Sequence, residues 1–180
     1  MTSDTTPNTE FVITVPELYG SELAYRARAR STLGVLTQLI AQAKRNLVIA
    51  APFIQSGEGV DTGPLADALR AALQRGVNID VVSTGGGLQA VDARQLRRTA
   101  RGQLRLFQPR ANIDDDRRLG SHAKFCLADD CHAYIGSANL TGPGLSTNLE
   151  MGMLVHGELA RQVSEFWRYL HEVGFFVEVG

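Results

Sequence analysis

Lysine is scarce in this chain. Lys44 and Lys124 are the only lysines, against 16 arginines, and the formal net charge of the 180 residues is −1. A near-neutral protein has no bulk charge with which to attract a polyanion, so any affinity for nucleic acid has to come from a local cluster. Residues 94–118 form such a cluster, with eight arginines and three aspartates and a local net charge of +5.

The chain also lacks a long apolar run and a secretory signal. No run approaches the roughly 18 residues that a membrane span needs. The opening MTSDTTPNTE has neither a basic segment nor an apolar one. We therefore expect a cytoplasmic protein that does not associate with membranes, in which Cys126 and Cys131 are reduced thiols.

Metal-ligand patterns are weak as well. Cys126, Cys131 and His132 lie close together in sequence but lack the paired spacing of structural zinc sites. The Gly85-Gly86-Gly87 turn lacks the Gly-Lys-Ser/Thr of a nucleotide-binding loop. The sequence thus predicts no metal and no cofactor.

The length and a hydrophobic content of 44% suit one globular domain. The polar, threonine-rich residues 1–15 are expected to form a flexible arm, and residues 16–180 the domain.

The order of predicted elements indicates an α/β sandwich in which a mixed sheet is flanked by helices on both faces. Ser31 can cap one helix, and Pro64 and Gly76 can begin and end a second. A third helix is expected over about residues 88–100, and an apolar stripe over Leu159–Val173 predicts a closing helix packed on the core. Strands are expected over residues 46–53, 77–83, 103–108, 121–128, 131–137 and 148–155, and a polar loop over 111–120.

His122 and Lys124 are the most suggestive pair for chemistry. On a strand their side chains point to the same face, because side chains alternate with period two. An imidazole can attack phosphorus while a neighbouring ammonium holds the phosphate oxygens.

The pair begins a longer pattern, in which His122, Lys124 and Asp129 are followed by Gly136, Ser137 and Asn139. The spacing resembles the HxKxxxxD(x)6GSxN signature of the phospholipase D superfamily, and the surrounding chain resembles that family over roughly residues 33–177. The resemblance implies phosphodiester transfer in two steps, without a metal ion.

The resemblance also implies a role for each residue. His122 would be the nucleophile that forms a phosphohistidine, and Lys124 and Asn139 would hold the non-bridging oxygens, with Ser137 as a further contact. Gly136 would allow a close backbone approach, and Glu150 would orient and polarise the imidazole. Asp129 is predicted as a catalytic residue, although a turn residue can equally serve the local hydrogen bonds.

The larger enzymes of the family carry two such motifs, whereas this chain has one. His132, His156 and His171 are not followed two places on by lysine. Short members complete the site by pairing two copies, so the resemblance implies a homodimer across the active-site face.

The substrate predicted first is nucleic acid, DNA rather than RNA, cleaved by an endonuclease. Arg94, Arg97 and Arg98 follow helical spacing and are predicted to contact phosphates, although they also suit an ordinary solvated face.

One alternative is a phospholipid phosphodiesterase, which would need an apolar surface that the sequence does not reveal. Another is a non-catalytic nucleic-acid-binding or assembly subunit. A looser resemblance to the phospholipase D-like protein of DISARM-type systems suggests phage defence, with partner proteins.

Overall fold

The computed structural model of the chain describes residues 9–55, 60, 62–110 and 121–180. One mixed sheet of nine strands forms its centre, in the order β2-β1-β8-β7-β6-β3-β4-β5-β9. The strands are β1 (Thr9–Thr14), β2 (Arg30–Ser31), β3 (Asn46–Ala50), β4 (Asn78–Val82), β5 (Leu104–Pro109), β6 (Phe125–Ala128), β7 (His132–Gly136), β8 (Glu150–His156) and β9 (Phe176–Val179). The helices are α1 (Glu17–Ala27), α2 (Thr32–Gln42), α3 (Gly63–Arg75), α4 (Gly85–Leu88), α5 (Ala93–Arg97), α6 (Gly142–Ser146) and α7 (Glu158–Glu172).

Strand directions decide where the motif lies. Strands β3, β4 and β5 are parallel, while β6 is antiparallel to β3 with Phe125 opposite Ala50. Residues just before β6 therefore lie at the edge of the sheet where β3 to β5 end, which we call the carboxyl edge. The turn at Asp129 and Asp130 lies at the other end of β6, which we call the hairpin edge.

Two hydrophobic cores cover the two faces of the sheet. One contains buried residues of α2, α3 and α5 packed against the β3–β5 region. The other lies under α7 and includes Trp167, which makes an edge-to-face contact with Phe107 at a ring separation of 5.6 Å. The predicted α/β sandwich with helices on both faces is therefore confirmed. None of the helices in the described ranges is long and apolar enough to cross a lipid bilayer.

The predicted helix boundaries hold where a residue with a defined cap function marks them. The Ser31 hydroxyl accepts a hydrogen bond from the N–H of Gly34 at 3.2 Å and begins α2. Pro64 lies in the first turn of α3, and Gly76 ends that helix in a left-handed conformation with φ of 97°.

Several boundaries differ from the prediction. The prediction of a flexible arm over residues 1–15 is wrong for residues 9–14, which form β1 and pair with β8. Residues 1–8 and the polar loop predicted over 111–120 lie outside the described residues. The helix predicted over 88–100 is confined to Ala93–Arg97, and the glycine turn before it is the single helical turn of α4. Strand β6 begins at Phe125, three residues later than His122. Four elements, α1, β2, α6 and β9, were not predicted.

The apolar stripe of α7 is only partly core. Leu159, Phe166 and Val173 are 43%, 49% and 56% exposed, while Trp167 is buried. The buried side of α7 is formed by Ala160, Ser164 and Trp167. The prediction that the stripe packs on the core is therefore wrong for part of it, because the sheet covers a different side of the helix.

Candidate active site

The site begins with direct contact between His122 and Lys124. The Lys124 ammonium Nζ lies 3.1 Å from His122 Nδ1 and 3.5 Å from Nε2. It also donates to the backbone carbonyl of His122 at 3.1 Å. The two side chains predicted to share a face are thus side by side. Because both ring nitrogens are within 3.5 Å of Nζ, the ammonium lies over the face of the imidazole and not in line with one ring lone pair.

Lys124 is unusually buried for a lysine. It is only 7% exposed, whereas His122 is exposed. Burial lowers the pKa of the Lys124 ammonium below its ordinary value, and the negative charge of Glu150 opposes this shift. The site thus holds a partly desolvated cation beside an imidazole, which suits it to an anion.

Glu150 joins the site through Ser137. The Ser137 hydroxyl donates a short hydrogen bond to the Glu150 carboxylate and accepts one from the N–H of Met151 at 3.1 Å. The Asn148 amide donates to the same carboxylate at 3.4 Å. In the described part of the chain, Glu150 makes no hydrogen bond to His122. Its electrostatic effect falls on Lys124 instead, so the structure does not show the predicted direct contact with the imidazole.

The segment Gly136–Asn139 continues from β7 beside the pair. The N–H of Gly136 donates to the carbonyl of Lys124 at 3.1 Å, which fixes the segment next to the buried ammonium. The side-chain oxygen Oδ1 of Asn139 is buried and has no hydrogen-bond partner in the described residues. An unpaired buried polar atom costs free energy. This atom is an acceptor, however, whereas holding a phosphate oxygen needs the N–H groups of the Asn139 amide. The predicted contact of Asn139 with substrate therefore stays a prediction.

Gly136 was predicted to allow a close backbone approach to substrate, but in the structure it makes room for the Tyr134 side chain. A Cβ atom on it would lie 2.2 Å from the Tyr134 hydroxyl and 2.9 Å from the carbonyl oxygen of Met151. The space beside this glycine is filled by the protein's own side chain. The requirement for glycine is thus one of internal packing against Tyr134.

Asp129 lies at the hairpin edge, at the other end of β6 from Lys124. Its carboxylate accepts hydrogen bonds from the N–H groups of Lys44, Arg45 and Asn46 at 2.8, 2.8 and 3.0 Å. Burial alone would raise its pKa, but these N–H groups outweigh burial and lower it. The structure does not bring Asp129 to the other motif residues; its contacts join the β6–β7 turn to the start of β3.

The arginines of α5 are also separated from the motif. The Arg97 guanidinium donates to the carbonyl of Leu104, at 3.3 Å from Nε and 2.9 Å from Nη2. Leu104 begins β5, so this contact lies on the side of the sheet opposite the carboxyl edge. Arg94 lies on the same short helix, and Arg98 is the residue that follows it. Their predicted contact with substrate stays a prediction.

An apolar groove beside the catalytic pair was missed from the sequence. A cavity of about 510 Å³ extends from His122 and Lys124 between β6–β8 and α7. Apolar residues dominate its walls, among them Phe125, Ile135, Val155, Leu159, Val163 and Phe166. Leu159 and Phe166, two of the exposed residues described above, lie on its α7 side. The apolar stripe of α7 was the available signal, but it was assigned to the core.

The remaining cysteines and histidines lie outside the pair. Cys126 is fully buried, and burial raises the pKa of its thiol to about 12, so it behaves as an inert core residue. His132 and His156 contact each other across β7 and β8, with their Nδ1 atoms 2.8 Å apart. Among the described residues, no cluster of three or more His, Cys, Asp or Glu side chains could hold a metal ion.

The sequence and the fold have clear relatives. Residues 36–173 match the family described as the PLD-like domain of cardiolipin synthase. The chain therefore belongs to the phospholipase D superfamily, and it carries one copy of the His-Lys motif.

Individual relatives differ in how much of their length is matched. Cardiolipin synthase B of Salmonella typhi is 30% identical over 128 residues, which cover 69% of this chain and 28% of that protein. The chain thus spans only about 28% of that relative's length.

Two solved structures match nearly end to end: Nuc of Salmonella typhimurium, a phospholipase D family member, and NucT of Helicobacter pylori. Nuc has a TM-score of 0.62 with 18% identity, covering 95% of this chain and 97% of Nuc. NucT has a TM-score of 0.64 with 16% identity, covering 95% of this chain and 99% of NucT. At these identities the likeness shows the fold.

Proposed function

We propose that this chain is a metal-independent phosphodiesterase that acts through a covalent phosphohistidine on His122. The observation that carries the proposal is the contact between His122 and the buried Lys124 ammonium at 3.1 Å. An exposed imidazole with a buried cation against it is arranged for a phosphate: the ring nitrogen supplies the electron pair and the ammonium binds the oxygens.

The reaction has two steps. In the first, a ring nitrogen of His122 forms a bond to phosphorus and the bond to the leaving oxygen breaks; that oxygen takes a proton from an acid. In the second, water attacks phosphorus, gives its proton to a base, and the phosphorus–nitrogen bond breaks. Lys124 and the Asn139 amide donate to the non-bridging oxygens in both steps, where charge builds up.

A second copy of the chain would supply the acid and the base. Each chain has one His-Lys pair, which cannot attack phosphorus and protonate the leaving oxygen with the same imidazole. A homodimer that brings two His122 side chains to one phosphate gives each a separate role. The exposed His122 leaves its ring accessible to such a partner.

Nucleic acid is the proposed substrate, DNA in preference to RNA. The near full-length match to Nuc and NucT supports a short, single-domain member, which is the kind that the family resemblance associates with endonucleases. The local charge of +5 in residues 94–118 suits a polyanion, but Arg97 and Arg105 of this segment are bound to Leu104 and Asp80 and add no support. A role in phage defence, and a non-catalytic role in a larger assembly, stay predictions that no observation on the chain supports.

The apolar groove favours one alternative, a phospholipid phosphodiester. A cavity of about 510 Å³ with apolar walls and the cationic pair at one end suits a hydrocarbon chain attached to a phosphate. The sequence relative named cardiolipin synthase B points the same way.

A parallel assay distinguishes the two substrates. Purified protein is incubated in EDTA with supercoiled plasmid DNA and, separately, with phosphatidylglycerol vesicles. We expect nicking of DNA by the wild type and a loss of at least about 10³-fold in His122→Ala. His132→Ala, at the hairpin edge, is the matched control and should retain activity. Turnover of lipid alone would establish the alternative, and inertness on both substrates, with no His122-dependent labelling by an activated phosphodiester, would contradict the proposal.

The homodimer is tested by dilution. Light scattering after gel filtration should give twice the chain mass, and activity per molecule should fall once the concentration drops below that of dimer dissociation. Full activity of a monomer would contradict the shared site.

A further inference from the structure

Three buried hydroxyls behind the carboxyl edge have no hydrogen-bond partner in the described residues. They belong to Tyr134, Thr32 and Thr14, which are 2%, 0% and 5% exposed. Burying a hydroxyl without a partner costs free energy, so such groups are rare in well-packed interiors. Two of them, Tyr134 and Thr32, lie next to each other, which suggests a common purpose.

The Tyr134 ring runs along the sheet from β7 toward the catalytic segment. A Cβ atom placed on Gly136 would lie 2.2 Å from the Tyr134 hydroxyl, and one placed on Gly152 would lie 2.5 Å from its ring. These two glycines face each other across β7 and β8. The ring thus occupies the space that two glycines leave free, and its hydroxyl reaches the start of Gly136–Asn139.

The neighbours of that hydroxyl are the Thr32 side chain and the backbone of Ala138. Burial raises the pKa of the Tyr134 phenol, and the two neighbours lower it only in part. The phenol is therefore neutral and can both donate and accept a hydrogen bond. Both neighbours interact with the hydroxyl as hydrogen-bond partners, although neither contact reaches full hydrogen-bond geometry.

The backbone on either side of Ala138 is already held. The N–H of Ser137 donates to the carbonyl of Met151 at 3.0 Å, and that of Leu140 donates to Phe53 at 3.2 Å. In the described residues, the N–H of Ala138 has no backbone acceptor of this kind. The Tyr134 oxygen is the group placed to receive it, between the two side chains that face the substrate.

We propose that Tyr134 is a positioning residue whose hydroxyl, together with that of Thr32, fixes the backbone of Gly136–Asn139. In doing so it sets the Ser137 hydroxyl and the Asn139 amide relative to His122. The inference rests on the proposed phosphodiester transfer. Hydrogen bonds of this kind are often incomplete in a free enzyme and tighten when the substrate binds, which accounts for the unpaired hydroxyls.

The test is Tyr134→Phe, with Thr32→Val as a second variant that keeps the side-chain shape. Both should lower kcat for bis(p-nitrophenyl) phosphate by roughly 10-fold or more, as small misplacements of reacting groups do, with KM little changed. Thermal stability should change little, because the loss of incompletely formed hydrogen bonds is offset by removing a buried hydroxyl. A residue with a merely structural role would show the reverse: lower stability with kcat unchanged.

Tyr25→Phe is the matched control, since Tyr25 is 85% exposed; its kcat should equal that of the wild type. Hydrogen exchange of a peptide covering residues 136–140 provides a readout that needs no activity. We expect faster exchange in Tyr134→Phe than in the wild type or Tyr25→Phe. Unchanged exchange, or an unchanged kcat, overturns the inference, whereas a wild type that is inactive on the diester contradicts the proposed function alone.

Discussion

The two ends of β6 satisfy their polar groups in opposite ways. At the hairpin edge, the Asp129 carboxylate receives three backbone N–H groups within 3.0 Å. At the carboxyl edge, Asn139 Oδ1 is buried without a partner among the described residues, and the Tyr134 hydroxyl has no fully formed hydrogen bond there. The buried Lys124 ammonium lies against the imidazole and the backbone carbonyl of His122.

This difference indicates that Asp129 has a different role from the motif residues at the carboxyl edge. A carboxylate whose oxygens are occupied by the backbone contributes to stability and has little capacity left for a substrate. Donors and acceptors that remain unpaired destabilise the free protein and become favourable only when a ligand supplies partners. We therefore infer that the motif's chemistry is confined to the carboxyl edge and that Asp129 is structural.

The largest effect is expected at Lys124. Lys124→Met should lower kcat on DNA by about 10²–10³-fold, as removal of one stabilising donor does. Stability should be unchanged or higher, because a buried ammonium is replaced by an apolar chain. Lys44→Met is the control, since Lys44 is exposed at the hairpin edge. Equal losses in both variants would remove the distinction between the two ends.

Glu150→Gln should have a smaller effect on the rate, about 10- to 100-fold, because Glu150 acts through its neighbours. The pH profile gives a sharper readout. Lys124 has to be protonated to hold phosphate oxygens, and the Glu150 charge raises the pKa of Lys124. Neutralising Glu150 should therefore move the alkaline limb of kcat against pH to lower pH. An unmoved limb would show that Lys124 does not control it.

Asp129→Ala should affect stability in place of catalysis. Losing a carboxylate that accepts three backbone hydrogen bonds should cost about 2–3 kcal/mol. The positive φ of 51° at this position adds strain for alanine. Urea unfolding measures the loss, and kcat of the folded variant should match the wild type. A large fall in kcat at unchanged stability would contradict the structural role and indicate that Asp129 takes part in catalysis.

The same carboxylate should shape stability in acid. Because its pKa is lower in the folded protein than the unfolded value of about 3.9, its contribution is present above that pH. The contribution should disappear as pH falls through the folded pKa. The difference in Tm between wild type and Asp129→Asn should therefore be larger at pH 7 than at pH 3; a constant difference would contradict this linkage.

The smallest effect is expected for Arg97→Gln. The guanidinium is held by the Leu104 carbonyl away from the carboxyl edge, so DNA affinity and its dependence on salt should stay as in the wild type. Titrating binding against salt checks this, because loss of a phosphate contact would reduce the slope by about one.

Much of the site could be predicted because its spacing is fixed by a hairpin. A chain that turns at Asp129 and Asp130 returns Gly136 to the level of Lys124, so the sequence offset already implies proximity. The partners of Glu150 and Asp129 could not be predicted, because they depend on β8 and β3, which approach from elsewhere in the chain.

The fold was predictable where a residue marks a boundary, as Ser31, Pro64 and Gly76 do. Strand β1 was missed because its position depends on pairing with β8, more than 130 residues away in sequence. Which side of α7 is buried also could not be predicted from the sequence. Periodicity shows which residues share a side of a helix, whereas the width and position of the covering sheet decide which side is buried.

The contact between Lys124 and His122 has a consequence for how an anion would bind. In the free protein the Lys124 ammonium lies against the imidazole and the backbone carbonyl of His122. A phosphate oxygen is a charged acceptor, and hydrogen bonds between charged partners are the stronger ones. We therefore expect a bound phosphodiester to draw the ammonium away from the imidazole, which pairs the buried cation and frees the ring to turn toward phosphorus.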